Sequence, residues 1–107
     1  MNMARVWEIW KCEQYEKTTD AEVRQRITEL KKDLVAAGAP KVQIVSGWYG
    51  EDMGKYIFMV EHADAGAFGN TSAKIFADKN YEAQNNARQK NPKIMWVSGG
   101  LWVEEDL

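Results

Sequence analysis

Two ionisable side chains of this sequence stand where they could carry acid–base chemistry. Glu8 lies in the middle of a short apolar segment, where burying an ionised carboxylate costs free energy unless another group pairs with it. It could serve as a general base in a pocket, or it could be a glutamate at a sheet edge or subunit interface that bonds to Ser46 or Lys11. His62 is the only histidine, and imidazole titrates near neutral pH. It could act as an acid or base beside Glu8 or Glu61, or it could cap a helix or face solvent.

Aromatic and hydroxyl-bearing side chains could form the walls of a pocket around these groups. Tryptophan and tyrosine stack on flat rings, although filling a core or an interface is their commoner use. The indole rings would hold a planar ligand, and Tyr56 or Ser98 would bond an oxyanion. The candidate substrate-binding residues are Trp10, Trp48, Tyr56, Phe58, Trp96 and Ser98.

The composition excludes several other kinds of site. The chain has 14 basic and 16 acidic residues, a net charge of −2, and no basic stripe that could neutralise nucleic-acid phosphates. Cys12 is the only cysteine, so neither an intramolecular disulfide nor a thiolate zinc cluster can form. The residue spacing predicts no metal site and no glycine-rich phosphate loop. We therefore expect no cofactor and no nucleic-acid partner.

The sequence predicts neither a targeting segment nor a membrane segment. The first residues lack the apolar core of a signal peptide, and charges interrupt every apolar run before it reaches membrane-spanning length. We therefore expect a cytoplasmic protein without membrane contact. The length of 107 residues suits a single domain that covers residues 1–107.

An amphipathic helix over Asp20–Ala37 is the clearest element. Thr19 and Glu22 have the spacing of a capping box, and Gly38 and Pro40 stand where a helix ends. Its apolar residues recur at steps of four, three and four, which predicts one face packed on a sheet. These residues are Val23, Ile27, Leu30 and Leu34.

The other elements are four strands and a second helical region. Strands are predicted over 5–12, 42–49, 55–61 and 93–103, with a glycine-containing hairpin loop over 50–54. Asp64 can cap a helix that is interrupted at 78–80 and continues over 81–89. The Gly99-Gly100 pair indicates a bulge or a close backbone approach. The order β-α-β-β-α-β predicts an α+β, ferredoxin-like fold, with both helices on one face of a four-stranded antiparallel sheet.

Alternation along the strands separates two sets of residues, one for each face of the sheet. We expect the aliphatic set to lie under the helices and the ring-bearing set to lie on the uncovered face. Such a face is too apolar to stay in water, so we expect a homodimer that buries it. The ring-bearing set is Glu8, Trp10, Cys12, Ile44, Ser46, Trp48, Tyr56, Phe58, Val60, His62, Trp96, Ser98 and Trp102. The aliphatic set is Trp7, Ile9, Val45, Gly47, Ile57, Met59, Met95, Val97, Gly99, Leu101 and Val103.

This element order and the predicted uncovered sheet face resemble the dimeric α+β barrel superfamily. The segment Phe76-Ala77-Asp78-Lys79-Asn80-Tyr81-Glu82-Ala83 is similar to the broken second helix of NIPSNAP-like and antibiotic-biosynthesis-monooxygenase-like members. The resemblance implies a homodimer with a small pocket in each subunit. Members of this superfamily include cofactor-independent oxygenases and isomerases, so the resemblance implies that such an activity is possible here. It leaves open whether the pocket lies inside the barrel or between the sheet and the helices.

Two functions remain possible on the sequence alone. One is a cofactor-independent oxygenase or isomerase that acts on a small aromatic or otherwise activated carbon acid, with Glu8 or His62 taking the proton. The other is a non-catalytic dimer that binds a small apolar molecule or serves as an interaction module. They differ in whether a carboxylate or imidazole faces a cavity that solutes can enter.

Overall fold

The chain folds in the order β-α-β-β-α-α-β in the computed structural model, which describes residues 4–107. Met1, Asn2 and Met3 belong to the predicted domain 1–107 but lie outside the described residues. The elements are β1 (Val6–Gln14), α1 (Asp20–Ala36), β2 (Val42–Ser46), β3 (Tyr56–His62), α2 (Ala65–Ala77), α3 (Lys79–Lys90) and β4 (Ile94–Val103).

The four strands form one antiparallel sheet in the order β2-β3-β1-β4. Glu8 at the centre of β1 lies opposite Val60 on β3 and Leu101 on β4. The predicted four-stranded antiparallel sheet is therefore confirmed. Because β1 is an inner strand, both of its neighbours fix the position of Glu8.

Helix α1 matches its predicted pattern. The Thr19 side chain accepts a hydrogen bond from the Glu22 amide, and the Glu22 carboxylate accepts one from the Thr19 amide, so the capping box is present. Val23, Ile27 and Leu30 are buried. Gly38 follows the helix with a φ of +117°, a value that favours glycine.

The hairpin between β2 and β3 is longer than predicted. Strand β2 ends at Ser46 rather than Tyr49, because the Gly47 amide bonds to the Lys55 carbonyl and the Gly54 amide bonds to the Gly47 carbonyl. The loop therefore runs from 47 to 55. Asp52 pairs with Lys11 on β1 at 2.8 Å, which draws the loop over one face of the sheet.

The predicted orientation of the sheet is wrong for β1, β2 and β3. The buried side chains under the helices are those of Cys12, Val42, Phe58 and Val60, so the ring-bearing set faces the helices. Helix α1 packs directly on these residues, whereas α2 and α3 bury no residue fully and leave space for the rings of Trp10 and Trp96. The opposite side, which we call the open face, carries Trp7, Ile9, Val45, Ile57, Met59, Met95 and Trp102.

A bulge divides the faces of β4. The register with β1 shifts between Lys11 and Cys12, which lie opposite Ser98 and Trp96, so Val97 is the extra residue. Trp96 therefore faces the helices, whereas Ser98 lies on the open face. The predicted close approach is confirmed at Gly99, where an added Cβ would lie 2.3 Å from the Trp10 ring. The bulge itself lies two residues before the glycine pair.

Helices α2 and α3 stand away from the sheet. Neither helix contains a fully buried residue. Asp64 caps α2 by accepting the Ala67 amide, and Asp78 caps α3 by accepting the Tyr81 amide at 2.7 Å. The gap that these helices leave above β1, β3 and β4 holds the candidate site. Within residues 4–107, no helix is long and apolar enough to cross a membrane.

Candidate functional site

A cavity of about 460 Å³ lies between the sheet and the helices. Its floor is formed by Glu8, Trp10, Phe58, Val60, Ile94 and Trp96 of the sheet. Its roof includes Leu30 from α1, Ile75 from α2, and Tyr81 and Arg88 from α3. Of the two positions that the sequence left open, this cavity occupies the one between the sheet and the helices.

Three aromatic rings shape one wall of the cavity. Trp10 and Trp96 meet edge to face with centroids 6.2 Å apart, and Phe58 lies 5.5 Å from Trp96. Phe58 is buried, whereas Trp10 and Trp96 are partly exposed. The wall therefore extends from the core to solvent, and its flat apolar surfaces suit a planar ligand.

Glu8 places a carboxylate in this apolar wall. Its Oε2 accepts a hydrogen bond from the Trp10 Nε1–H at 2.8 Å, and its Oε1 lies 3.1 Å from the Nε2 of His62. The side chain retains 22% of its exposure, so a molecule in the cavity can reach it. Two neighbours thus hold the carboxylate in place while it still faces the cavity.

His62 lies behind Glu8 and does not line the cavity. The residue is 2% exposed, and its ring meets the Phe68 ring edge to face with centroids 5.4 Å apart. The structure therefore brings the two predicted acid–base residues together, but only Glu8 is in reach of a solute.

The opposite wall carries a tyrosine and an arginine from α3. The Arg88 guanidinium bonds to Asp33 through Nη1 at 2.5 Å and lies 5.9 Å from the centroid of the Tyr81 ring. Its Nη2 is buried and has no hydrogen-bond partner among residues 4–107. Burial raises the pKa of Tyr81, with a smaller opposing effect of Arg88. Tyr81 is therefore a neutral phenol at neutral pH and can donate a hydrogen bond.

Three of the predicted substrate-binding residues do not line the cavity. Trp48 lies in the 47–55 loop, is 86% exposed and donates its Nε1–H to Ser46. Tyr56 points toward the N-terminus of α1, where its hydroxyl donates to Asp20 at 3.1 Å. Ser98 is exposed on the open face because of the bulge. Neither predicted oxyanion donor is therefore in the cavity.

Sequence reasoning missed the contribution of α3. Tyr81, Asn85 and Arg88 all line the cavity, although the segment 81–89 is mostly polar and reads as solvated. Their spacing of four and three places them on one helical face. That periodicity was a usable signal, but a polar face beside a cavity has the same composition as a polar face in water.

Cys12 does not line the cavity. Cys12 is fully buried, and burial raises the pKa of its thiol to about 11, so it is protonated and inaccessible at neutral pH. In the described part of the chain, no group of three or more His, Cys, Asp or Glu side chains is arranged to hold a metal ion.

Comparisons with known proteins give similarity in structure only. No protein-family model and no curated protein sequence matches this chain. SnoaB, a cofactor-independent oxygenase from Streptomyces nogalater, superimposes with a TM-score of 0.61 at 11% identity, covering 97% of this chain and 96% of that chain. A dimeric ferredoxin-like protein from an uncultured marine organism superimposes with a TM-score of 0.63 at 11% identity, covering 94% and 95%. A conserved protein from Methanosarcina mazei gives 0.58 at 12% identity, covering 96% and 95%.

The chain has a ferredoxin-like fold. This confirms the fold that the sequence resemblance implied. At such low identity the comparison carries no residue roles, so the chemistry of the site has to be argued from its own side chains.

Proposed function

We propose that the protein removes a proton from an activated carbon acid bound in the cavity and lets the resulting carbanion react with O2 without a cofactor. The observation that carries this proposal is the carboxylate of Glu8, held by Trp10 and His62 in an otherwise apolar wall. The carboxylate is partly exposed to the cavity, so it can accept a proton from a molecule bound there.

The walls define the class of substrate. The volume of about 460 Å³ lies within the range of small-molecule sites. The edge-to-face pair Trp10–Trp96 offers flat surfaces, and aliphatic side chains such as Leu30, Ile75 and Ile94 complete them. These features suit a molecule of two or three fused rings with a CH2 group made acidic by a neighbouring carbonyl.

The proposed reaction consumes one O2 and releases one water. Glu8 takes a proton from the CH2 carbon, and the negative charge moves to the carbonyl oxygen, where Tyr81 and Arg88 supply hydrogen-bond donors. The carbanion transfers one electron to O2, and the two radicals combine to give a peroxide at that carbon. The peroxide is protonated and loses water, so that CH2 and O2 become C=O and H2O.

The similarity to SnoaB supports the oxygenase outcome over a simple isomerisation. That protein is a cofactor-independent oxygenase with the same fold over nearly its whole length. Proton removal is common to both outcomes, because an isomerase would return the proton to another carbon.

We also propose that two subunits pair through the open face. In a single subunit Trp102 is 60% exposed, Met95 46% and Val45 44%, and Trp7, Ile9, Ile57 and Met59 lie beside them on the same side. Such a surface is more apolar than soluble monomers usually tolerate. The dimeric ferredoxin-like protein from an uncultured marine organism, which shares this fold, supports this assembly.

The experiment uses 2-tetralone, a two-ring ketone with a benzylic CH2 beside its carbonyl. NMR in D2O measures exchange of the CH2 protons, and an oxygen electrode measures O2 uptake. Wild-type protein is expected to accelerate exchange, and Glu8→Gln is expected to lose about 10²- to 10⁴-fold of that acceleration. Glu13→Gln is the matched control, because Glu13 lies on the same strand but does not line the cavity.

Three results of this experiment would count against the proposal. If the Glu8→Gln protein accelerates exchange as well as wild type does, Glu8 is not the base. Exchange without O2 uptake would favour an isomerase. Binding of 2-tetralone to the wild-type protein, measured by quenching of tryptophan fluorescence, without either activity would favour the non-catalytic binder.

A further inference from the structure

The surroundings of His62 fix which of its nitrogens carries a proton. Nε2 lies 3.1 Å from Glu8 Oε1, while Nδ1 is buried and has no hydrogen-bond partner within the described residues. On the α2 side the ring packs edge to face with that of Phe68. Among residues 4–107, Glu8 is the one ionisable side chain that pairs with the imidazole.

The two neutral tautomers of the ring differ in what they leave unpaired. With the proton on Nε2 the ring donates to Glu8 and leaves an unpaired acceptor at Nδ1. With the proton on Nδ1, a buried N–H has no acceptor among residues 4–107, and the Nε2 lone pair faces a carboxylate oxygen. An unmade hydrogen bond from a buried donor is expensive, so the first tautomer is favoured.

We propose that His62 is a positioning residue that donates its Nε2–H to Glu8 and does not exchange protons with the substrate. Its N–H and the Trp10 Nε1–H each donate to one oxygen of Glu8. The two donors orient the carboxylate toward the cavity. His62 cannot pass a proton onward, because Nδ1 has no hydrogen-bond partner among residues 4–107. The positioning role rests on the proposed function of Glu8, whereas the tautomer of the ring does not.

Long-range ¹H–¹⁵N NMR of the imidazole ring tests the protonation state directly. The chain has a single histidine, so protein without a histidine tag gives one set of ring signals that needs no assignment. At about pH 8, above the ordinary titration range of imidazole, we expect the pattern of the Nε2–H tautomer. The Nδ1–H pattern would overturn the proposal.

Substitutions separate positioning from proton transfer. His62→Gln keeps a side-chain N–H and is expected to retain 2-tetralone exchange within about threefold of wild type. His62→Leu removes the donor, and we expect a slower reaction that His62→Gln restores. A loss of 100-fold or more in a folded His62→Gln protein would identify His62 as a proton carrier. If wild-type protein shows no exchange, the proposed function fails, and the NMR pattern still decides the state of His62.

Discussion

Gly99 makes room for the aromatic wall of the site. A Cβ at this position would lie 2.3 Å from the Trp10 ring, and Trp10 also donates the hydrogen bond that holds Glu8 Oε2. The absence of a side chain on β4 therefore determines where the indole lies and, through it, where the carboxylate points.

We predict that Gly99→Ala destabilises the protein by about 1–3 kcal/mol through overpacking and reduces 2-tetralone exchange. Gly100→Ala is the matched control, since the nearest atom to its added Cβ in one subunit is 3.9 Å away. Urea unfolding at equal protein concentration measures both variants. Equal stabilities of the two variants would show that Trp10 does not lie against Gly99.

Glu22 links the start of α1 to the start of β4 in a pH-dependent way. Its contact with the Lys93 ammonium, together with hydrogen bonds from Thr19, lowers the pKa of the carboxyl from 4.5 to about 2. A lowered pKa in the folded state means that this carboxylate contributes stability above pH 4.5, and that the contribution is lost as the pH falls toward 2.

We therefore predict that Glu22→Gln is less stable than wild type at pH 7, and that the difference shrinks as the pH falls from 4.5 to 2. Glutamine preserves the capping box, so the change isolates the pairing with Lys93. Thermal unfolding followed by circular dichroism at several pH values measures the effect. A stability difference that does not change over this pH range would contradict the role given to Lys93.

Individual residues of the site were only partly predictable from sequence. Glu8 was conspicuous because a carboxylate interrupts an apolar strand. Arg88 was not, because the polar composition of α3 is the same beside a cavity as beside water, and only its spacing from Tyr81 and Asn85 gave a signal. Ser98 was misplaced because a one-residue bulge reverses the facing of every residue beyond it.

Helices α2 and α3 are less firmly anchored than α1, which buries three residues. They contain no fully buried residue, and they meet at Asp78, which ends α2 and caps α3. Elements with few buried contacts open most easily. We infer that ligands enter the cavity past this helix pair.

Asp78→Ala is predicted to weaken α3 by about 1 kcal/mol, because the Tyr81 amide loses its acceptor. Asp78→Asn keeps the cap and is the control. Hydrogen–deuterium exchange by mass spectrometry should show faster exchange in α3 of the alanine variant and little change in α1. Uniformly faster exchange throughout the chain would mean that the cap supports the whole fold rather than this helix.

Periodicity predicted the elements well. The capping residues and the apolar stripe of α1 were readable because they are local. The end of β2 was not, because the loop over 47–55 is closed by backbone bonds and by the contact of Asp52 with Lys11. Such contacts join residues that sequence spacing does not relate.

The whole molecule is a thin, two-layered body with principal dimensions of 50 × 38 × 17 Å. One side of its sheet carries the cavity and the helices, and the other side is the open face. The alternation of residues along a strand shows which side chains share a face, but it does not show which face the helices cover. For this reason the two faces were assigned the wrong way round. The expectation that one face remains uncovered is confirmed for a single subunit.

Met59→Lys is predicted to weaken the dimer at least about tenfold, since it places an unpaired charge at the centre of the open face. Sedimentation velocity across a range of concentrations measures the change, with Gln25→Lys on the exposed side of α1 as control. A wild-type protein that remains monomeric at micromolar concentration would refute the proposed assembly.

A crystal structure of the protein soaked with 2-tetralone would show whether the ketone binds beside Glu8. We predict that the ketone lies between the sheet and α3, with its benzylic carbon next to the Glu8 carboxylate and its oxygen toward Tyr81 and Arg88. A ketone bound on the open face, or a cavity filled by side chains while Glu8 points away from it, would contradict the account.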